Sequence, residues 1–106
     1  MLKTFRIQAE IKIKKEGGRS WPIKTGYRPG FNFLGNHQTS GQINLLKRDD
    51  IKPGEQGVVE VDFFSDELLG NIASGSEFRF YEGPTEIGVG KVLNVIGWVE
   101  NIDQED

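Results

Sequence analysis

Few residues in this sequence are of the types that perform catalysis, and their spacing matches no catalytic motif. Gly90 and Lys91 form the Gly-Lys pair found in phosphate-binding loops. Such a loop also needs a glycine five residues before Gly90 and a serine or threonine after the lysine. Thr85 and Val92 occupy those two positions. The sequence therefore predicts no nucleotide-binding loop of this kind.

The other reactive side chains give no metal site or catalytic pair. His37 is the only histidine and the chain has no cysteine, so a thiolate metal site is impossible and a histidine-rich site has little support. Two pairs of adjacent acids stand at 49–50 and 66–67. Neighbours in an extended chain point to opposite faces, so neither pair predicts a catalytic dyad. We expect a protein that is not an enzyme and carries no cofactor, with His37 in a solvated loop.

Charge is distributed unevenly along the chain. Residues 1–30 carry eight lysines and arginines against two glutamates, whereas residues 49–106 carry fourteen acids against three basic residues, within a net charge of −3. A basic face of this kind is typical of nucleic-acid-binding proteins. The alternative, which we favour, is that a basic first strand pairs beside an acidic last strand. In a closed barrel those two strands are neighbours.

The elements that must position these residues are predicted to be short strands. Apolar and polar residues alternate strictly over residues 5–13, which indicates a half-buried strand. Paired glycines, Pro-Gly turns and 14 glycines in total separate further alternating segments. Gly88 and Gly90 predict a bulge or a close backbone approach in the last strand. The predicted strands are residues 5–13, 27–34, 42–46, 58–64, 78–81 and 87–96.

Length and hydropathy indicate one small domain outside the membrane. With 106 residues, 36% of them hydrophobic, the chain can bury a single core. No apolar run approaches the roughly 18 residues of a membrane span, and residues 1–9 lack a signal-peptide core. We expect a cytoplasmic protein, and the absence of cysteine fits a reducing compartment.

Several motifs, in this order, are similar to those of one known family. EGGR stands at residues 16–19 and GYRPGF at 26–31, followed by a G-x-I-x-L strand at 41–45. FRF at 78–80 and IGVG at 87–90 complete the series. Over roughly residues 5–95, the chain resembles the C-terminal β-barrel (domain III) of elongation factor Tu, here as a stand-alone domain. No GTPase motif accompanies it.

The resemblance implies a fold and a domain organisation. The expected fold is all-β, a single six-stranded antiparallel closed β-barrel over residues 1–96. Residues 97–106 are expected to form an acidic C-terminal tail. In full-length elongation factor Tu this barrel packs against the nucleotide-binding domain, supports tRNA and contacts the exchange factor.

The resemblance also implies two binding functions. Arg28 matches an arginine near the tRNA contact of the family, but Gly30 replaces a glutamine there, and Thr85 and Glu86 replace an arginine and a threonine. Since phosphate binding rests largely on basic charge, a non-catalytic module that engages a protein partner, with a translation component as a candidate, is the leading hypothesis. Its candidate residues are Arg19, Trp21, Lys24 and Arg28. The alternative is a weak tRNA or RNA-backbone binder that uses Lys12, Lys14, Lys15, Arg19 and Arg28. A third possibility is an autonomous structural subunit of a larger complex, with exposed strand edges or Trp98 in an interface.

Three of these residues have structural interpretations that the sequence leaves open. Arg19 and Arg28 could hold the turn geometry through carbonyls or carboxylates, with Glu16 as a nearby partner. Trp21 could form an exposed apolar patch with Pro22 and Ile23, which would mark a protein contact. It could equally plug one end of the barrel.

Overall fold

The computed structural model describes residues 2–35 and 37–101, and six β-strands make up its regular structure. They are β1 (Leu2–Ile13), β2 (Gly30–Asn32), β3 (Thr39–Leu45), β4 (Gln56–Phe63), β5 (Glu77–Glu82) and β6 (Thr85–Asn101). Every pairing is antiparallel, and the order β1-β4-β3-β2-β5-β6 closes into a barrel. The predicted closed six-stranded antiparallel barrel is confirmed.

The core follows from the two-residue period of the strands. Alternate residues of β1, from Ile7 to Ile13, are fully buried, while the polar residues between them face outward. Phe31 on the short strand β2 lies at the centre of an aromatic cluster, with ring centroids 5.2–5.9 Å from its neighbours. Those neighbours are Phe63, Phe78 and Phe80. The centre of the barrel is therefore filled by four rings contributed by three strands, β2, β4 and β5.

β1 and β6 form the seam of the barrel, as predicted for the first and last strands. Their ladder runs from Leu2 opposite Asn101 to Ile13 opposite Gly88. β6 thus continues past position 96, where the predicted barrel ends, and residues 97–101 are strand. The remainder of the predicted tail, residues 102–106, lies outside the described residues.

Charge complementarity on β1 extends to both neighbouring strands. On β4, Asp62 accepts from Arg6 Nε at Oδ1, at 2.7 Å, and from Nη2 at Oδ2, at 3.1 Å. Glu60 on β4 lies 3.7 Å from Arg6 Nε. Hydrogen bonding and the nearby carboxylates raise the pKa of Arg6 above its already high usual value.

Opposite charges also face each other across the β1–β6 seam. Lys3 lies opposite Glu100, and Glu10 lies opposite Lys91. The preferred electrostatic interpretation therefore holds for these two pairs, and β4 adds the Arg6–Asp62 ion pair.

The second strand is shorter than predicted. Residues 27–34 were expected to be extended, whereas β2 contains only Gly30–Asn32. Tyr27 makes just an isolated bridge with Ile43. Pro29 lies between the two and has no N–H to donate to a ladder, so continuous pairing is interrupted there.

Gly88 and Gly90 lie beneath aromatic rings, which confirms the predicted close approach. A Cβ added to Gly90 would lie 2.3 Å from Phe78 Cζ, and one added to Gly88 would lie 2.3 Å from Phe80 Cζ. The register between β5 and β6 also shifts between Phe80 and Tyr81. Because these two residues have no side chain, the rings of Phe78 and Phe80 can pack closely against the backbone of β6.

Candidate functional site

The loop between β1 and β2, residues 14–29, carries the partner-binding candidates and is anchored to the barrel. Ile23 and Ile51 exchange two backbone hydrogen bonds, with N···O distances of 2.9 and 3.0 Å, and both side chains are fully buried. Ile43 on β3 donates its N–H to the carbonyl oxygen of Tyr27 at 2.8 Å and accepts from Gly26 N at 2.9 Å. The loop is therefore held by β3 and by the segment between β3 and β4.

Arg19 fixes the middle of this loop. Its Nε donates to the carbonyl oxygen of Trp21 at 2.7 Å and its Nη2 donates to that of Pro22 at 3.2 Å. Its Nη1 forms an ion pair with Glu82 at the end of β5. The predicted structural role of Arg19 is confirmed, but the carboxylate comes from Glu82 rather than Glu16.

Glu82 also binds Tyr27, which completes a three-residue cluster. The Tyr27 hydroxyl donates to Glu82 Oε1, and the Arg19 guanidinium lies 4.5 Å from the centre of the Tyr27 ring. The hydrogen bond from Tyr27 and the charge and hydrogen bond of Arg19 lower the pKa of Glu82. Burial, followed by the carboxylate of Glu82, raises the pKa of Tyr27. The cluster ties the EGGR loop to the turn between β5 and β6.

Trp21 projects from this clamped loop into solvent. Its side chain is 74% exposed, the highest value among the exposed large hydrophobic residues. Ile23 is fully buried in the core and Pro22 is half-buried. Trp21 thus does not plug the barrel, and the exposed patch does not include Ile23. The indole stands on a backbone whose carbonyl is held by Arg19.

Neither Lys24 nor Arg28 takes part in the side-chain contacts among Arg19, Tyr27 and Glu82. Lys24 is exposed. Arg28 donates from Nε and Nη2 to Gln42 Oε1, at 3.2 and 3.1 Å, and its guanidinium lies 5.0 Å from the centre of the Phe64 ring. Arg28 therefore belongs to the outer face of β3, whereas Arg19 and Trp21 belong to the end of the barrel.

The residues of the RNA-binding alternative are partly neutralised. Lys14 Nζ lies 3.6 Å from Glu86, which also pairs with Arg79. Arg19 is engaged by Glu82. Lys12 and Lys15 are exposed, and in the described part of the chain neither lies within 4.0 Å of a carboxylate.

A groove and a polar network are features that the sequence did not reveal. The groove, about 620 Å³ in volume, crosses the outer face of the sheet, where Lys12, Val89 and Arg79 stand side by side on β1, β6 and β5. The network links Arg28 through Gln42 and Asn44 to Asp62. The alternation of polar and apolar residues predicted that the side chains of the groove and the network point outward. Which side chains meet depends on the register between strands, which the sequence pattern does not give.

Residues 2–35 and 37–101 contain no group of three or more histidine, cysteine or acidic side chains placed to hold a metal ion. In the same ranges, no helix is long and apolar enough to cross a membrane. His37 is exposed.

No protein-family model matches the chain. The closed six-stranded antiparallel barrel is consistent with the barrel that the sequence motifs imply.

Proposed function

We propose that the chain is a non-catalytic binding module, similar to the C-terminal barrel of elongation factor Tu, that engages a protein partner through Trp21. The observation that carries this proposal is the 74% exposure of Trp21 on a loop fixed by Arg19. A cytoplasmic translation component is the first class of partner to test, because the motifs at residues 16–19 and 26–31 resemble that family.

The Trp21 loop is already ordered in the free protein, which lowers the entropic cost of binding a partner. Association costs about 0.5–1.5 kcal/mol for each flexible side chain that becomes fixed. Here the backbone around Trp21 is already held by two hydrogen bonds from Arg19 and by the Ile23–Ile51 bridge. Tryptophan is enriched among residues whose truncation costs about 2 kcal/mol or more at interfaces. Trp21 combines that residue type with a prepared backbone.

The charges support a protein partner over RNA. Arg19 and Lys14, two of the five candidate phosphate contacts, are committed to Glu82 and Glu86. Each neutralised phosphate requires an available cation. A glutamate at position 86 would face any phosphate that approached Lys14.

The test is capture from native-source lysate by the tagged protein, with bound protein and bound RNA identified in the same eluate. We expect a stoichiometric protein that Trp21→Ala weakens by at least about thirtyfold. Leu34→Ala is the matched control, since Leu34 is also an exposed large hydrophobic residue but lies in the loop after β2. It should leave capture unchanged.

Two outcomes would contradict the proposal. One is equal capture by wild type and Trp21→Ala. The other is tRNA, released by moderate salt, as the bound species, which would support the RNA alternative because phosphate contacts weaken steeply with salt.

A further inference from the structure

The second half of β6 has an edge that no described residue covers. β5 pairs with β6 as far as Lys91, and the loop before β5 then covers Val92 and Leu93 through Ser76 and Ser74. Residues 94–101 pair with β1 on one side only. At about 3.3 Å per residue, this free edge is roughly 26 Å long, longer than an average strand.

The free edge carries apolar side chains and little protection against pairing. Ile96 is 44% exposed and Trp98 is 50% exposed. The Trp98 ring packs edge-on against Phe5, with centroids 5.6 Å apart, which fixes its direction. Edges of monomeric proteins usually carry lysine or proline, whereas residues 94–101 contain neither and Glu100 is their only charge. A bulge at Ile96, followed by Gly97 with φ +99°, is the one irregularity.

The sequence of this edge is nearly symmetric about Gly97. The three residues before Gly97 and the three residues after it, taken outward from the glycine, are alike in hydrophobicity or in hydrogen-bonding capacity. The matched pairs are Ile96 with Trp98, Val95 with Val99, and Asn94 with Glu100. Such symmetry is what a strand needs to pair with a second copy of itself in antiparallel orientation, since a two-fold interface is self-complementary.

We propose that two copies of this chain pair through residues 94–100, antiparallel and two-fold symmetric about Gly97. Ile96 of each copy then lies opposite Trp98 of the other. Glu100 faces the amide of Asn94, which can donate a hydrogen bond to it. Apart from Gly97 and its two chain neighbours, no heavy atom of the described residues lies within 4 Å of the place where a Gly97 Cβ would stand.

The charges favour this arrangement over a parallel one. In a parallel pairing with the same register, Glu100 of one copy would lie opposite Glu100 of the other, and like charges directly opposite are destabilising. The antiparallel arrangement places the two glutamates at opposite ends of the shared ladder. It also continues the antiparallel alternation of the barrel sheet.

The dimer would carry two partner-binding surfaces. The Trp21 loop follows the end of β1, whereas residues 94–101 pair with the first half of β1. The two surfaces therefore lie at different parts of the barrel. A bivalent partner or a repeated surface would be bound with greater avidity than a single module provides.

The test is sedimentation equilibrium of the full chain from about 1 µM to about 1 mM. A single strand pair is smaller than a standard stable interface, so we expect a monomer–dimer equilibrium with a dissociation constant on the order of 10 µM. A monomer throughout that range would overturn the proposal.

A matched pair of variants at Asn94 tests the register. Asn94→Lys places a cation opposite Glu100 and should strengthen dimerisation about threefold to tenfold, whereas Asn94→Glu should weaken it by a similar factor. Asn94 is exposed, so both variants should fold, which circular dichroism can check. Equal dimerisation by the two variants would overturn the proposed pairing.

A second set of variants tests the apolar contact. Ile96→Lys combined with Trp98→Lys should give a monomer, because four cations would meet at the axis. Trp21→Lys combined with Leu34→Lys adds the same two charges at exposed hydrophobic residues elsewhere and should leave the dimer unchanged. Dimerisation that survives the double substitution would also overturn the proposal.

Discussion

Replacing Gly90 with alanine should destabilise the barrel for a steric reason that can be isolated. The three heavy atoms nearest to the added Cβ would all be ring atoms of Phe78, at 2.3, 2.7 and 2.8 Å. Overpacking of this kind costs about 1–3 kcal/mol, while loss of glycine flexibility in the unfolded chain returns about 0.5–1 kcal/mol. We expect Gly90→Ala to lower the free energy of unfolding by about 1–1.5 kcal/mol.

Shortening the ring should remove most of that cost. Phe78→Leu alone should destabilise the core by about 1.5 kcal/mol through the apolar volume it removes. In the double variant the leucine leaves room for the new Cβ. The two losses should therefore fall short of additivity by about 1–1.5 kcal/mol.

Gly88 provides the internal control, because there the obstruction includes the backbone. A Cβ at Gly88 would lie 2.3 Å from Phe80 Cζ but also 2.6 Å from the carbonyl oxygen of Lys12. Phe80→Leu should consequently rescue Gly88→Ala much less, by under about 0.5 kcal/mol. Urea unfolding followed by far-ultraviolet circular dichroism, at one fixed protein concentration, measures all six variants. Additive losses at Gly90 and Phe78, or equal rescue in both pairs, would refute the reasoning.

Three further predictions concern the polar contacts. Asp62→Ala should lower the free energy of unfolding by about 2–3 kcal/mol, because the carboxylate of the buried Asp62 accepts two hydrogen bonds from Arg6. A loss under about 0.5 kcal/mol in urea unfolding would contradict this prediction. The pKa of Glu82 is lowered on folding, so its contribution is present above its unfolded pKa and lost as pH falls through the folded pKa. The pKa of Tyr27 is raised, so its contribution is present below its unfolded pKa and lost as pH rises through the folded pKa. Glu82→Gln should flatten the acid side of a stability–pH curve, and an unchanged curve would count against the cluster. Arg19→Ala should accelerate amide hydrogen exchange in residues 14–29 and leave exchange of the strand amides unchanged. Equal exchange rates for residues 14–29 in the wild type and the variant would show that Arg19 does not order the loop.

The strands with strict alternation could be predicted from the sequence, and those that depend on context could not. β1 and β4 alternate apolar and polar residues over most of their length, so direction and burial follow directly. β2 has only three residues and depends on pairing with β3 and β5. A local pattern cannot specify how far such pairing extends, which explains the overlong prediction for residues 27–34.

The candidate site shows a similar division. The EGGR motif indicated a turn held by Arg19, but Glu82 is 63 residues away in the sequence. Only the closed barrel brings the two side chains together. Trp21 and Ile23 have the same parity and would share a face in an extended strand. They do not, because only Ile23 enters the bridge with Ile51, so the exposure of Trp21 required the structure.

The β1–β6 seam has a consequence for synthesis of the chain. The first of these six strands to be synthesised pairs with the last of them, since Leu2 lies opposite Asn101. At about 5–20 residues per second, β1 waits roughly 4–18 s for the end of β6. During that interval Ile7, Ile11 and Ile13 lack half of their cover. Long-range pairing of this kind slows folding and prolongs exposure to aggregation, so the nascent chain should be a better chaperone client than the finished barrel.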